Sequence, residues 1–180
     1  MMDMLEELKN LSVPVMGIVE DSVVDGEGLR LALFVQGCPH HCNGCHNPQS
    51  WALKKDNMKS LFEIYELVRD NPLCDGITFS GGEPFLYAKE LLPLAKAVHA
   101  LGKDVWSFSG WTYEELMERE DARQLLENID ILVDGPFELD KRDLGLMFRG
   151  SWNQRVIDVP KTRKTGTVIQ LYPDARRLAG

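Results

Sequence analysis

The sequence predicts an α/β fold: an open, partial (β/α) barrel whose parallel sheet carries helices on its outer face. Apolar runs alternate with helical stripes in the order strand, helix, strand, helix. Units of this kind, about 30 residues each, imply parallel strands joined by right-handed crossovers. A closed eight-unit barrel typically needs about 250 residues, and this chain has 180. About four to six strands are therefore expected, with the open side covered by a partner or by the C-terminal segment. Gly and Pro are spread through short connectors with no linker or repeat, so residues 1–180 read as a single domain, with 1–14 an N-terminal extension and 173–180 a tail of uncertain order.

The elements follow in order. Met4, Leu5 and Leu8 have helical spacing, but they lie at a terminus, where fraying is common. Residues 29–35 form a near-continuous apolar run, interrupted by Arg30, of the type expected for a strand buried on both faces. After a cysteine-rich loop, Ser60 and Glu63 have capping-box spacing. Leu61, Ile64, Tyr65 and Val68 then give a helical stripe that Asn71-Pro72 stops. Residues 76–79 are a second strand, 90–101 a helix ended by Gly102, and 105–108 a third strand. Residues 112–127 are a helix with a second capping box, and 129–133 a fourth strand.

The unusual residues follow these strands: the cysteine loop the first, Gly81-Gly82-Glu83-Pro84 the second, Ser109-Gly110-Trp111 the third and Asp134-Gly135-Pro136 the fourth. All four groups fall at the carboxyl edge of the sheet, where parallel α/β sheets place their ligands.

Composition narrows the partners. No run is long enough to span a bilayer and no basic apolar leader is visible, so a cytosolic chain without a membrane partner is expected. The formal net charge of -8 argues against nucleic acid, whose binding draws on clustered Lys and Arg.

Three of four cysteines, Cys38, Cys42 and Cys45, fall in one loop with spacing Cys-x3-Cys-x2-Cys. Crowded cysteines in a cytosolic chain point to metal or redox chemistry. Three soft ligands at this spacing suit a cubane iron–sulfur cluster, in which one iron is left without a protein ligand and open to a small molecule. The bland alternative is a Cys3His zinc site completed by His40, His41 or His46. Cys74 stands alone before an apolar run and reads as a small buried hydrophobe.

The cysteine loop after the first strand, with Gly-Gly-Glu-Pro after the second, resembles the radical S-adenosylmethionine superfamily, whose fold is a partial barrel of the kind inferred above. The resemblance implies a [4Fe-4S] cluster on Cys38, Cys42 and Cys45. It also implies S-adenosyl-L-methionine chelating the open iron, with Gly44, His46, Gly81, Gly82, Glu83 and Ser109 as cofactor contacts. In that arrangement the two glycines admit the ligand closely and Glu83 meets its ammonium group. Narrower features, residues 25–30, Gly37-Cys38 and Cys45-His46-Asn47-Pro48, are similar to glycyl-radical activating enzymes. Asp134-Gly135-Pro136-Phe137 and residues 149–155 (Arg-Gly-Ser-Trp-Asn-Gln-Arg) resemble those that serve anaerobic ribonucleoside-triphosphate reductase.

By that resemblance the cluster, reduced by a donor such as flavodoxin or ferredoxin, cleaves S-adenosylmethionine to methionine and a 5'-deoxyadenosyl radical. The radical then takes hydrogen from a glycine of the partner reductase. The alternatives are another glycyl-radical protein as partner, another small radical S-adenosylmethionine enzyme acting on a small molecule, and the zinc module. Arg149 and Arg155 read either as contacts to a carboxylate or partner backbone, or as solvated charges. Trp51, Trp111 and Trp152 read as docking or core aromatics, and His99 as structural.

Overall fold

A computed structural model describes residues 2–174, so the tail anticipated at 173–180 lies largely outside the described residues. In chain order the elements are α1 (Met2–Asn10), β1 (Ser12–Ser22), β2 (Arg30–Val35), β3 (Met58–Ser60), α2 (Leu61–Asp70), β4 (Gly76–Gly81) and α3 (Ala88–Ala100). They continue with β5 (Asp104–Phe108), α4 (Tyr113–Glu118), α5 (Glu120–Leu126), β6 (Ile131–Asp134), β7 (Arg155–Asp158), α6 (Val159–Thr165) and β8 (Gln170–Leu171).

The strands form one sheet in the order β3-β1-β2-β4-β5-β6-β7-β8. Its centre, β2-β4-β5-β6, is parallel and consists of the four strands read from the sequence. Both flanks are antiparallel and were not anticipated: β1 and β3 on one side, β7 and β8 on the other. In β1, Pro14 and Gly17 break the alternation that marks a strand. β3, β7 and β8 are short, at three, four and two residues, and are held by their neighbours more than by their own patterns.

Strand alternation sorts the core into two faces. Leu31, Leu33, Ile77, Phe79, Val105, Leu132 and Ile157 pack under Leu61, Ile64, Leu91, Leu94 and Leu125 of the helices. Leu8 of α1 is wholly buried in the same core, which ties down the segment read as an extension. The other, concave face carries Trp106, Val133 and Val156, packed beneath Phe148, Leu171 and Tyr172. The open side of the partial barrel is thus covered by the chain's own C-terminal segment. Arg149 holds that cover down, donating to the carbonyls of Gln154, Tyr172 and Pro173 at 2.7, 3.2 and 2.7 Å. It is therefore neither a carboxylate ligand nor a solvated charge.

Arg30, the interruption in the first apolar run, is wholly buried on the concave face. Its guanidinium donates to Thr78 Oγ1, Ile77 O, Glu27 O and Asp104 Oδ1 and lies over the Trp106 ring. A buried cation needs such partners. They anchor residues 23–29, whose Asp25 carbonyl accepts from Thr78 Oγ1 at 2.8 Å. The helix expected over 112–127 is broken at Arg119, which is extended. Its guanidinium leaves the helical path to cover Trp111 and to bond the Phe85 carbonyl at 3.0 Å, so tertiary contacts override local propensity.

At the opposite edge of the sheet His99 Nε2 lies 2.7 Å from Asp130 Oδ2, which also accepts from Val105 N. The hydrogen bond that His99 donates to Asp130 holds the imidazolium pKa above 6.5. Burial pushes Asp130 upward, but its bonds from His99 and Val105 outweigh that and leave it below 3.8. A raised histidine stabilises the fold fully below its unfolded pKa and loses that contribution as pH rises through its folded pKa. Urea stability of the protein should therefore decline from about pH 6.5 upward, and the decline should flatten in His99→Gln. An unchanged slope would show that the pair contributes nothing.

Candidate functional site

A cavity of about 320 Å³ opens on the concave face at the carboxyl ends of β2, β4, β5 and β6. Cys38, Cys42, Cys45, His40, His46 and Asn47 line it from the cysteine loop, Ser80, Gly81 and Gly82 from the end of β4, and Ser109 and Gly110 from the end of β5. Gly135, Phe137, Gly150 and Gln154 close it from the connection between β6 and β7. The groups that follow four separate strands in sequence are brought to one cavity.

The cysteine loop is held from behind. Gly37 N and Cys38 N donate to the carbonyls of Ser50 and Trp51 at 2.7 and 3.2 Å, and Cys45 N to Cys42 O at 3.1 Å. His41 takes the left-handed conformation (φ 49°), and its ring stacks on Trp51 at 4.7 Å between centroids and 17° between planes. All four cysteines are free thiols, the three of the loop half-buried and Cys74 buried. Cys74 sits in the helix-side core with its thiol on Gly76 O. Burial raises the Cys38 thiol above its ordinary pKa, and the nearby Glu83 adds to this. A metal taking this thiol as thiolate must displace its proton.

The Gly-Gly-Glu-Pro turn is stapled to the cysteine loop by Glu83 N donating to Gly37 O at 2.8 Å. A Cβ on Gly82 would stand 2.2 Å from that carbonyl, and one on Gly81 (φ 94°) 2.5 Å from Val35 N. The two glycines are thus required by backbone packing against β2 and the loop entry, a reason beyond the ligand approach expected from the sequence. Gly44 (φ 76°) lies outside the cavity wall, backed by the Leu139 side chain.

Glu83 departs furthest from its expected exposure. Its side chain is wholly buried and stands behind the cavity lining. Oε1 accepts from Phe85 N (3.0 Å) and Ser109 Oγ (3.0 Å), and Oε2 from Gly110 N (2.8 Å). His40 Nε2 lies 2.7 Å from Oε2, and its ring meets Trp111 edge-on at 4.6 Å. The carboxylate therefore reaches the cavity through His40, Ser109 and Gly110.

The far wall locks together two stretches that the sequence placed twenty residues apart. Arg155 pairs with Asp134, whose carboxylate also accepts from Tyr113 N, and with Glu114. Gln154 Nε2 donates to Gly135 O, Asn153 Nδ2 to Pro136 O, and Glu138 N to Ser151 Oγ. The outcome sets Phe137 against His46 at 5.2 Å. Sequence reasoning missed Asp25, Phe34, Ser80, Phe108 and Gln154 as lining residues. Phe34, Ser80 and Phe108 share a signal, since period-two alternation turns each toward the concave face near its strand's end.

Among the described residues no three His, Cys, Asp or Glu side chains converge as ligands of a single metal ion. In a cubane each thiolate binds a different iron, so the donor set of three partly buried thiols around a cavity fits the cluster. No helix among the described residues is long and apolar enough to cross a membrane.

Replacing Glu83 by Gln turns one acceptor oxygen into a donor facing buried N–H and O–H groups. Glu83→Gln should lose about 1–3 kcal/mol, the usual cost of an unsatisfied buried donor, measured by urea denaturation. An unchanged midpoint would overturn the hub assigned to this carboxylate.

Residues 24–157 match the family described as the 4Fe-4S single cluster domain. The chain is 40% identical over 141 residues to the anaerobic ribonucleoside-triphosphate reductase-activating protein of Pasteurella multocida, a match covering 73% of this chain and 89% of the relative. It is 37% identical over 140 residues to the Haemophilus influenzae protein of the same name (73% and 89%) and 34% identical over 145 residues to that of Escherichia coli (74% and 91%). Among solved structures, QueE from Escherichia coli shares the fold, with a TM-score of 0.52 and 15% identity over 73% of this chain and 74% of that one. With fold, cysteine loop and these likenesses in agreement, the chain belongs to the 4Fe-4S single-cluster family and, within it, to the anaerobic ribonucleoside-triphosphate reductase-activating proteins.

Proposed function

We propose that the chain is a radical S-adenosylmethionine activase that generates the glycyl radical of an anaerobic ribonucleoside-triphosphate reductase. The observation that carries this reading is the convergence of Cys38, Cys42, Cys45 and the two glycines of the Gly-Gly-Glu-Pro turn, Gly81 and Gly82, on one cavity. Its volume of about 320 Å³ falls in the range of small-molecule sites, about 300–1,000 Å³. The named function of the relatives agrees with it.

Cys38, Cys42 and Cys45 are proposed to hold a [4Fe-4S] cluster, and His46, Gly81, Gly82 and Ser109 to border S-adenosyl-L-methionine, with Gly44 shaping the loop. When bound, the cluster and S-adenosylmethionine would together supply one-electron reductive cleavage of the sulfonium and, through it, hydrogen-atom abstraction from the partner's glycine. The chain's own groups bind, orient and exclude water. Glu83 supplies the negative charge that favours a ligand ammonium, acting at the wall through His40, Ser109 and Gly110. Phe34, Phe108 and Phe137 give the cavity its apolar lining, which keeps solvent from a reactive intermediate. The reductant is proposed to be a protein such as flavodoxin or ferredoxin.

The reading is tested by mixing anaerobically reconstituted protein with reductant, S-adenosylmethionine and the reductase, and recording the glycyl-radical spectrum. No radical from a fully clustered protein would refute it. Cys38→Ala, Cys42→Ala and Cys45→Ala should each abolish iron and sulfide incorporation, whereas Cys74→Ala, whose thiol is buried in the helix-side core, should retain it. Equal loss in Cys74→Ala would show the ligand set to be wrong.

A further inference from the structure

We propose that Asp25 is a cofactor-binding residue on the floor of the cavity, its carboxylate accepting hydrogen bonds from the ribose hydroxyls of S-adenosylmethionine. This rests on the activase reading above and adds the contact that receives the sugar.

Asp25 is carried onto the concave face by the connection from β1 to β2, and three contacts fix it there. Its carbonyl accepts from Thr78 Oγ1 at 2.8 Å, and its Oδ2 from the buried Ser22 hydroxyl at 2.5 Å. Beside it Gly26 (φ 139°) is pressed onto the face, where a Cβ would stand 2.8 Å from Arg30 Cδ and 2.9 Å from the Trp106 ring. A side chain held in this way has little freedom left to lose when a ligand arrives. Strand register gives its depth. Thr78 pairs with Ala32, and Gly81 with Val35, the last residue of β2 before the cysteine loop. The three steps from Thr78 to Gly81, about 10 Å at 3.3 Å per residue, separate the level of the Asp25 backbone from the edge where the cysteine loop begins.

Among the described residues Asp25 is the one carboxylate in the cavity lining, no Lys or Arg joins it, and Phe34 and Phe108 share the lining with it. The other acids near the site are committed. Glu83 is filled by Phe85 N, Ser109, Gly110 N and His40, and Asp134 by Arg155 and Tyr113 N. Asp25 Oδ2 is taken by Ser22, whereas Oδ1 has no hydrogen-bond partner among the described residues. A carboxylate oxygen in an apolar cavity calls for a donor from the ligand.

S-adenosylmethionine carries three kinds of donor. Its methionyl ammonium belongs, on the reading above, with the open iron at the cysteine edge, a strand's depth away. The adenine amino group stands beside ring nitrogens that are acceptors and repel a carboxylate. The ribose offers two adjacent hydroxyls, both donors, of the kind that a single acid receives in nucleotide-binding α/β sheets. The sugar is therefore the part of the ligand that matches Asp25.

The test measures binding by equilibrium dialysis on the anaerobic, cluster-loaded protein, with S-adenosylmethionine and its 2',3'-dideoxy analogue as probes. The wild-type chain should bind the analogue about tenfold more weakly, as expected when a hydrogen bond to a charged group is lost. Asp25→Ala should bind S-adenosylmethionine about tenfold more weakly than wild type and should no longer distinguish the two probes. A purely structural role would weaken both probes alike and leave the preference intact. Asp25→Asn keeps the shape and one acceptor oxygen, so its affinity and its preference should fall between those of the other two proteins, and it decides the matter if the alanine protein does not fold. Iron and sulfide contents of the folded variants should equal those of wild type, because Asp25 lies apart from the cysteine loop. Equal S-adenosylmethionine affinity in wild type and both variants would overturn the proposal, as would a preference for the hydroxylated probe that is undiminished in the variants. An Asp25→Ala protein with full cofactor affinity that yields no glycyl radical would place the carboxylate at the partner's glycine and overturn it too. A clustered wild-type chain that binds no S-adenosylmethionine would instead sink the activase reading on which the proposal stands.

Discussion

The site depends on one buried carboxylate. Glu83 receives backbone donors from Phe85 and Gly110, the Ser109 hydroxyl and the His40 ring, while its own N–H donates to Gly37 O. Three segments, after β2, β4 and β5, are thereby tied to one residue. A charge removed from water is tolerable only when its lone pairs are filled, so the segments and the carboxylate require each other. That mutual requirement sets the distance between the cysteine loop and the Gly-Gly turn. It also explains why both glycines stand where backbone meets backbone with no room for a Cβ.

A second constraint is the shortness of the chain. A partial barrel leaves a concave apolar face, and here β7 turns back antiparallel to β6 in place of a further helical crossover. The connection between them rises over the cavity and is held by Arg155 on Asp134 and by Gln154 and Asn153 on the carbonyls of Gly135 and Pro136. Below it, Arg149 draws the carbonyls of Tyr172 and Pro173 across the face that carries Trp106, Val133 and Val156. The polar lock and the apolar cover are one device, and it supplies the fourth wall of the site.

The cysteine loop has two faces of different character. One turns three thiols, His40 and His46 into the cavity; the other lays His41 on Trp51 and leads to exposed lysines.

The sequence by itself determined the four parallel strands, the cysteine triplet and the placement of every motif at the carboxyl edge, because period-two apolar runs, cap residues and ligand spacing are local properties. It did not reveal β1, β3, β7 and β8, whose patterns are short or broken by Pro14 and Gly17 and which exist through their neighbours' ladders. It anticipated one helix over 112–127 where Arg119 is drawn out of line by Trp111 and Phe85. It could name Glu83 but not its burial, and it left Arg149 and Arg155 undecided between ligand and solvent. Only the tertiary structure settled these, since a side chain's partners come from segments far away in the chain and nothing in its own neighbourhood encodes which carbonyl or carboxylate the fold will bring within 3 Å of it.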